Sequence, residues 1–273
     1  MRVLLFLCTA LTLTAQAPSV SNLSTRALVG LGGDAMFAGF NVGPGGNKTI
    51  LIRAAGPALA GFGVGGALAD PKIELFSGGT KIGENDNWGT TVGGATPVTE
   101  ATFSAVGAFA FAAGSRDAAV VATFAPGSYS AVVSGVNNAT GVALIEVYEV
   151  GASTARLTNI SARAQVGTGA SILIPGLVVS PGSGTRRLLV RAAGPSLGAL
   201  GVGGALADPT MLVLNANGLV VATNDNWGTP SSTVAAGASL LSDTFSNAGA
   251  FAFASGSRDA ALIAEFGPGS YTI

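Results

Sequence analysis

Histidine is absent from this chain, and cysteine occurs once, at Cys8. Without histidine there is no Ser-His-Asp triad, no Cys-His pair and few of the ligand sets that hold zinc or iron. Charge is scarce as well. Only 10% of the residues are charged, against about 25% in an average soluble protein. Lysine is confined to Lys48, Lys72 and Lys81, so the second half of the chain has none to form a Ser-Lys dyad. The net charge is −1, which offers no electrostatic attraction to nucleic acid or to an anionic membrane surface. Long apolar runs are missing too: no segment reaches the roughly 20 residues of a spanning helix, so the mature chain is expected to have no membrane span.

What is present points to a packed, exported protein. Hydrophobic residues make up 48% of the chain, the opposite of a disordered composition. The N-terminus, MRVLLFLCTALTLTAQA, combines a basic Arg2, an apolar stretch from Val3 to Leu13 and small residues at Ala15 and Ala17. Residues 1–17 read as a secretory signal peptide, cut after Ala15 or Ala17. Cys8 leaves with it, and Leu7 before it does not suit a lipoprotein signal. A secreted or cell-surface protein without disulfides must rest on its cores.

The mature chain is one unit written twice. SNLSTR (Ser21–Arg26) returns as TNISAR (Thr158–Arg163), and RAAGP at Arg53–Pro57 returns at Arg191–Pro195. GVGGALADP (Gly63–Pro71) returns unchanged at Gly201–Pro209, followed by second copies of GAFAFA, GSRDAA and PGSY. The spacing drifts from 137 to 142 residues, which means tandem domains rather than a solenoid of short repeats. The expected organisation is repeat 1 over 18–150, a linker over 151–157 and repeat 2 over 158–273. Copy 1 runs on through SAVVSGVNNATGVALIEVYEV, whereas copy 2 reaches only the start of that segment, so repeat 2 is expected to be truncated at its C-terminus.

Glycine and proline punctuate the chain too often for long helical faces. Strand signals are strong at TRALVG, MFAGFNV, KTILIRAAG, KIELFSG and TGVALIEVYEV. DAAVVATF, APG and SYSAVVSGV read as a hairpin turned at Pro126-Gly127. Within it Ala118, Val120, Ala122 and Phe124 form an apolar face, and Asp117, Val121 and Thr123 form the more polar one. About eight short strands per copy predict an all-β fold of two tandem antiparallel β-sandwich, jelly-roll-like domains.

The order of TRALVG, KTILIRAAGPALA, GALADPKIELF, ENDNWG, APGSYSAVVSG and TGVALIEVYE resembles the tandem β-sandwich repeats of large secreted bacterial proteins. It is also loosely similar to the bacterial pre-peptidase C-terminal domain. The resemblance implies a noncatalytic accessory module, sometimes calcium-dependent, and carries no site residue over.

The two tryptophans, Trp88 and Trp227, both lie in NDNWG. Asn85, Asp86 and Asn87, and in copy 2 Asn224, Asp225 and Asn226, offer oxygens of the kind calcium takes. The EF-hand pattern is not met, because the Gly at its sixth position and the Glu at its twelfth are missing. Asn and Asp also build Asx-turns. Trp88 and Trp227 are candidate stacking platforms for a sugar. The favoured reading is a turn anchored by a Trp that covers the open end of its sandwich and bonds a carbonyl through its indole N–H. Asp70, Asp86 and Asp117 recur as Asp208, Asp225 and Asp259, enough acids for glycoside hydrolysis in principle, though no nucleophile–base pair can be named. Arg53 and Arg191 end strands, and Arg116-Asp117 and Arg258-Asp259 sit at a turn before a strand. Matched Arg and Asp in both copies suggest structural ion pairs, with a ligand-anion clamp as the alternative. Asn-x-Ser/Thr sequons occur at Asn22, Asn47, Asn138 and Asn159. The reading is a secreted, noncatalytic binding or spacer module that requires no cofactor, with calcium as the one candidate ion. A polysaccharide or cell-surface component is the candidate partner. The alternatives are a carbohydrate-binding accessory module and, behind it, a carboxylate-dependent glycan-active enzyme.

Overall fold

The computed structural model describes residues 18–90, 97–229 and 242–273. Residues 1–17, the expected signal peptide, lie outside the described residues. Repeat 1 contributes β1 (Val20–Val29), β2 (Met36–Val42), β3 (Lys48–Ala55), β4 (Pro71–Ser77) and β5 (Thr80–Asn85). A six-residue helix α1 (Glu100–Ala105) follows, then β6 (Ala118–Phe124), β7 (Gly127–Gly135) and β8 (Gly141–Val150). Repeat 2 contributes β9 (Leu157–Arg163), β10 (Ile174–Val179), β11 (Arg186–Ala192), β12 (Met211–Asn215) and β13 (Val220–Asn224). It continues with helix α2 (Ser242–Asn247), β14 (Ala260–Phe266) and β15 (Gly269–Thr272). The protein is all-β in architecture, as expected. Among the described residues no helix is long and apolar enough to cross a membrane.

Alternation decides which strands face one core and which face two. In β2, Met36, Ala38, Phe40 and Val42 are buried and the residues between them are only partly so, the period-2 pattern of a strand covered on one face. In β3 every residue from Ile50 to Ala55 is buried, which requires cover on both faces. The inner face (Ile50, Ile52, Ala54) joins Val120, Ile145, Val147, Phe40, Ile73 and Val133 in the main core. Fully burying each such side chain stabilises by about 1.5–3 kcal/mol. The outer face (Leu51, Ala55) joins Leu59, Phe103, Phe111, Ala119 and Tyr148 in a second cluster. The layer over that face is built by α1, whose Thr99 and Thr102 cap its first turn reciprocally, and by the segment carrying Phe109 and Phe111.

All strand ladders are antiparallel, and they join the two repeats. One sheet has the order β13-β12-β15-β10-β1-β8-β3-β6, a second β5-β4-β7-β2-β9, and a third is the pair β11-β14. Each repeat therefore lends its first strand to the other: β1 pairs with β8 on one edge and with β10 on the other, while β9 pairs with β2. The registers match across this exchange, Ser24 opposite Gly176 and Ser161 opposite Gly39. A Cβ at Gly176 would sit 2.7 Å from Ser24 Oγ, and one at Gly39 2.8 Å from Ser161 Oγ, so a larger residue at either position would force the facing serine to turn. The linker is packed rather than loose. Ala155 is fully buried, Thr154 Oγ1 donates to the Gly45 carbonyl, and Leu157 already belongs to β9.

One sequence expectation is overturned. β6 and β7 do not form a hairpin: β6 pairs with β3, and β7 with β2 and β4. The Ala125-Pro126 connection crosses between layers. Phe124 and Tyr129 meet beneath it with ring centroids 4.7 Å apart, and the Tyr129 hydroxyl donates to the Ala125 carbonyl at 3.0 Å. Both strands point their apolar faces into one core from opposite sides, so a direct ladder between them is impossible. Repeat 2 makes the same crossing, with Phe266 and Tyr271 rings 4.9 Å apart.

Candidate functional site

The NDNWG loop leaves the end of β5 and lies against the start of β6. Asn85 is buried, 3% exposed. Its Nδ2 donates to the carbonyls of Asn87 and Thr90, and its Oδ1 accepts the Ala119 N–H at 3.0 Å. β5 and β6 belong to different sheets, so this one amide ties the two layers together. Asn224 repeats every contact, with the carbonyls of Asn226 and Thr229 and with the Ala261 N–H at 2.9 Å. The Trp88 N–H donates to the Asp117 carbonyl and the Trp227 N–H to that of Asp259, closing the loop on the next strand. Asn87 Nδ2 donates to Asp86 Oδ1 at 3.0 Å. Asn85 Oδ1 and the Asn87 carbonyl are thus already engaged within the fold, and Asp86 is the loop's one formal carboxylate. Among the described residues no group of three or more His, Cys, Asp or Glu stands in metal-binding proximity.

Each tryptophan is half-buried. Trp88 packs on Phe103 and Phe111 at centroid distances of 5.3 and 6.2 Å, and its Nε1 donates to the Ala112 carbonyl at 3.1 Å. Trp227 packs likewise on Phe245 and Phe253, with Nε1 donating to Ser257 Oγ. The anchor expected from the sequence is present, but its place differs. The indole covers the outer face of the sheet rather than the open end of the sandwich, and its aromatic companions come from distant segments instead of its own loop.

Beneath the tryptophan lies a feature the sequence reading did not resolve. Arg53 is fully buried on the outer face of β3, boxed by Phe103, Phe109 and Phe111 at 4.5, 4.3 and 4.0 Å from its guanidinium carbon. Such cation–π contacts strengthen when desolvated. Glu146 on β8 completes the box, with Oε2 3.3 Å from Arg53 Nε, and the Tyr148 hydroxyl donates to Glu146 Oε1 at 2.7 Å. Burial pulls Arg53 below the usual arginine range and pushes Glu146 above the usual carboxylate range despite the cation beside it. Arg191 sits in the matching box of Phe245, Phe251 and Phe253 and donates to the Phe251 carbonyl at 2.7 Å. Burial lowers it to about 10, which still leaves it charged at neutral pH. The sequence signal for the boxes was the recurrence of GAFAFA together with a strand-borne arginine.

The neighbouring acids have structural partners. Asp117 is fully buried and accepts the N–H groups of Gly56 at 2.8 Å and Ala58 at 3.1 Å, and the Ser115 hydroxyl at 2.7 Å. It clamps the RAAGP turn to β6. Gly56 is required there, because a Cβ would lie 2.1 Å from the Leu68 carbonyl oxygen. Asp259 repeats the clamp on Gly194, Ser196 and Ser257. Burial alone would raise the Asp259 carboxyl, but these donors outweigh it and hold it below the usual range. The arginines preceding these acids pair elsewhere: Arg116 with Asp70 and Arg258 with Asp208, each at 3.2 Å and exposed. The ion pairing expected of matched Arg and Asp is thus present in both copies, with the acid of the ALADP turn rather than the acid next in the chain. Of the sequons, Asn47, Asn138 and Asn159 are exposed and Asn22 is buried. No protein-family model, no curated protein and no solved structure matches this chain.

Proposed function

We propose that the chain is a secreted, noncatalytic module that spaces or docks components at the cell exterior. One observation carries the reading: the recurring polar side chains that line the interior are engaged by the fold, and the recurring surface arginines Arg116 and Arg258 are paired with Asp70 and Asp208. Asp117 and Asp259 hold backbone N–H groups, Asn85 and Asn224 bridge two sheets, and Arg53 and Arg191 lie in phenylalanine boxes. A catalytic centre needs a nucleophile or base free to meet substrate. The exchanged first strands suit a spacer, because neither repeat can be pulled away without breaking ladders in the other. Export is supported by the N-terminal segment.

The test combines a glycan panel with two variants. Purified protein should release no reducing ends from bacterial and plant polysaccharides. Trp88→Ala and Trp227→Ala should lower the melting temperature while leaving any polysaccharide retention unchanged. Retention lost from a still-folded Trp variant would replace this reading with a carbohydrate-binding accessory module, and hydrolysis abolished by Asp86→Ala would replace it with an enzyme. Calcium and chelator should leave the melting temperature where it is, because a cation that bound the native state alone would raise it.

A further inference from the structure

The two repeats differ at one place in the sheets. In repeat 1, β8 lies between β1 and β3 and is paired along both edges. In repeat 2 the matching neighbours are β9 and β11. β9 is paired on its β2 edge and β11 on its β14 edge, and among the described residues neither has a partner on its other edge. From the geometry we infer that this gap is a strand-addition site, and that its occupant is one extended peptide segment with the side-chain chemistry of β8. The segment runs antiparallel to both neighbours, as β8 does. Its insertion would join β5-β4-β7-β2-β9 to β11-β14 and produce a second eight-stranded sheet equivalent to the first.

Three observations define the occupant. The first is apolar cover. Ile50, Leu51 and Ile52 are fully buried beside β8, whereas their counterparts Leu188, Leu189 and Val190 are only half-buried. The second is charge. Glu146 forms an ion pair with Arg53 in the first box, but among the described residues no carboxylate forms one with Arg191, which Asp259 influences only at longer range. A Glu at the matching position would face it. The third is a further cation. Lys48 pairs with Glu149 of β8 at 2.7 Å, and the residue in its place is the exposed Arg186 at the start of β11. The occupant therefore carries small and aliphatic residues on its inner face and carboxylates three residues apart, the pattern of GVALIEVYEV (Gly141–Val150). Main-chain bonds to two edges give affinity, and the alternating side chains give specificity.

The probe is the synthetic peptide Gly141–Val150, fluorescently labelled and titrated into the full 273-residue chain. Saturable one-to-one binding is expected, with a raised melting temperature and new amide-exchange protection in β9 and β11. A peptide carrying Glu146→Lys should bind at least tenfold more weakly. This arm leaves the protein unchanged, so no folding defect can imitate the result. Arg191→Glu should restore the Lys peptide and weaken the original one. No binding, equal binding by a scrambled or Lys-bearing peptide, or protection elsewhere would overturn the inference. So would a stable dimer, buried through these edges, that the peptide does not dissociate.

Discussion

Replacing Asp117 by alanine tests the reasoning most directly. The carboxylate is fully buried and receives two backbone N–H groups and one hydroxyl. A buried donor left without a partner costs about 1–3 kcal/mol. The Gly56 N–H is enclosed and should incur most of that range. The Ala58 N–H is part-buried and should lose about 1 kcal/mol, and the Ser115 hydroxyl can turn to water for less. The sum is about 4 kcal/mol, a lowering of the melting temperature on the order of 10 °C. Asp117→Asn keeps an acceptor oxygen for the two N–H groups and offers its NH₂ to Ser115, so it should cost about 1–1.5 kcal/mol. Urea unfolding at neutral pH, followed by tryptophan fluorescence, reads both, since the Trp88 N–H bonds the same residue's carbonyl. If the alanine variant lies within about 1 kcal/mol of the parent, or the asparagine variant is as costly as alanine, the clamp is not what holds the RAAGP turn.

The other predictions concern the seam and the buried charges. Gly176→Val places a branched side chain where Ser24 Oγ stands 2.7 Å from a Cβ. It should destabilise by about 1–3 kcal/mol, be partly rescued by Ser24→Ala, and lower both repeats together in a thermal scan because β1 serves both. Arg53→Met strands Glu146 and should cost about 3–5 kcal/mol at neutral pH, with much of that recovered in Arg53→Met/Glu146→Leu. Glu146 is raised by burial, so its protonated form is the one the fold favours. The single variant should therefore regain stability as pH falls from neutrality toward the ordinary carboxylate range, as read by denaturation midpoints across pH. Asp259 is held low, so its contribution is complete above its unfolded value of about 3.9 and is lost as pH falls through the lower folded value. Asp259→Asn should flatten that acid limb of the stability curve.

The sequence by itself determined the duplicated unit, the all-β class and most strands. MFAGFNV is β2 residue for residue, and KTILIRAA is β3. It also marked NDNWG as a turn, because Asn and Asp bond backbone locally, whereas the partners that anchor its tryptophan, Phe103, Phe111 and the Ala112 carbonyl, are distant in the chain. What only the tertiary structure decided is which edges pair. Every residue but proline presents the same N–H and C=O to a neighbour, so the exchange of β1 and β9 and the crossing at Ala125-Pro126 leave no mark in residue type beyond the small residues Gly39, Gly176, Ser24 and Ser161. The Arg53 box was hidden for a related reason. Alternation along β3 shows that a face is buried, but the rings and the carboxylate that bury it come from segments 50 to 93 residues away in the chain, and only folding brings them onto that face.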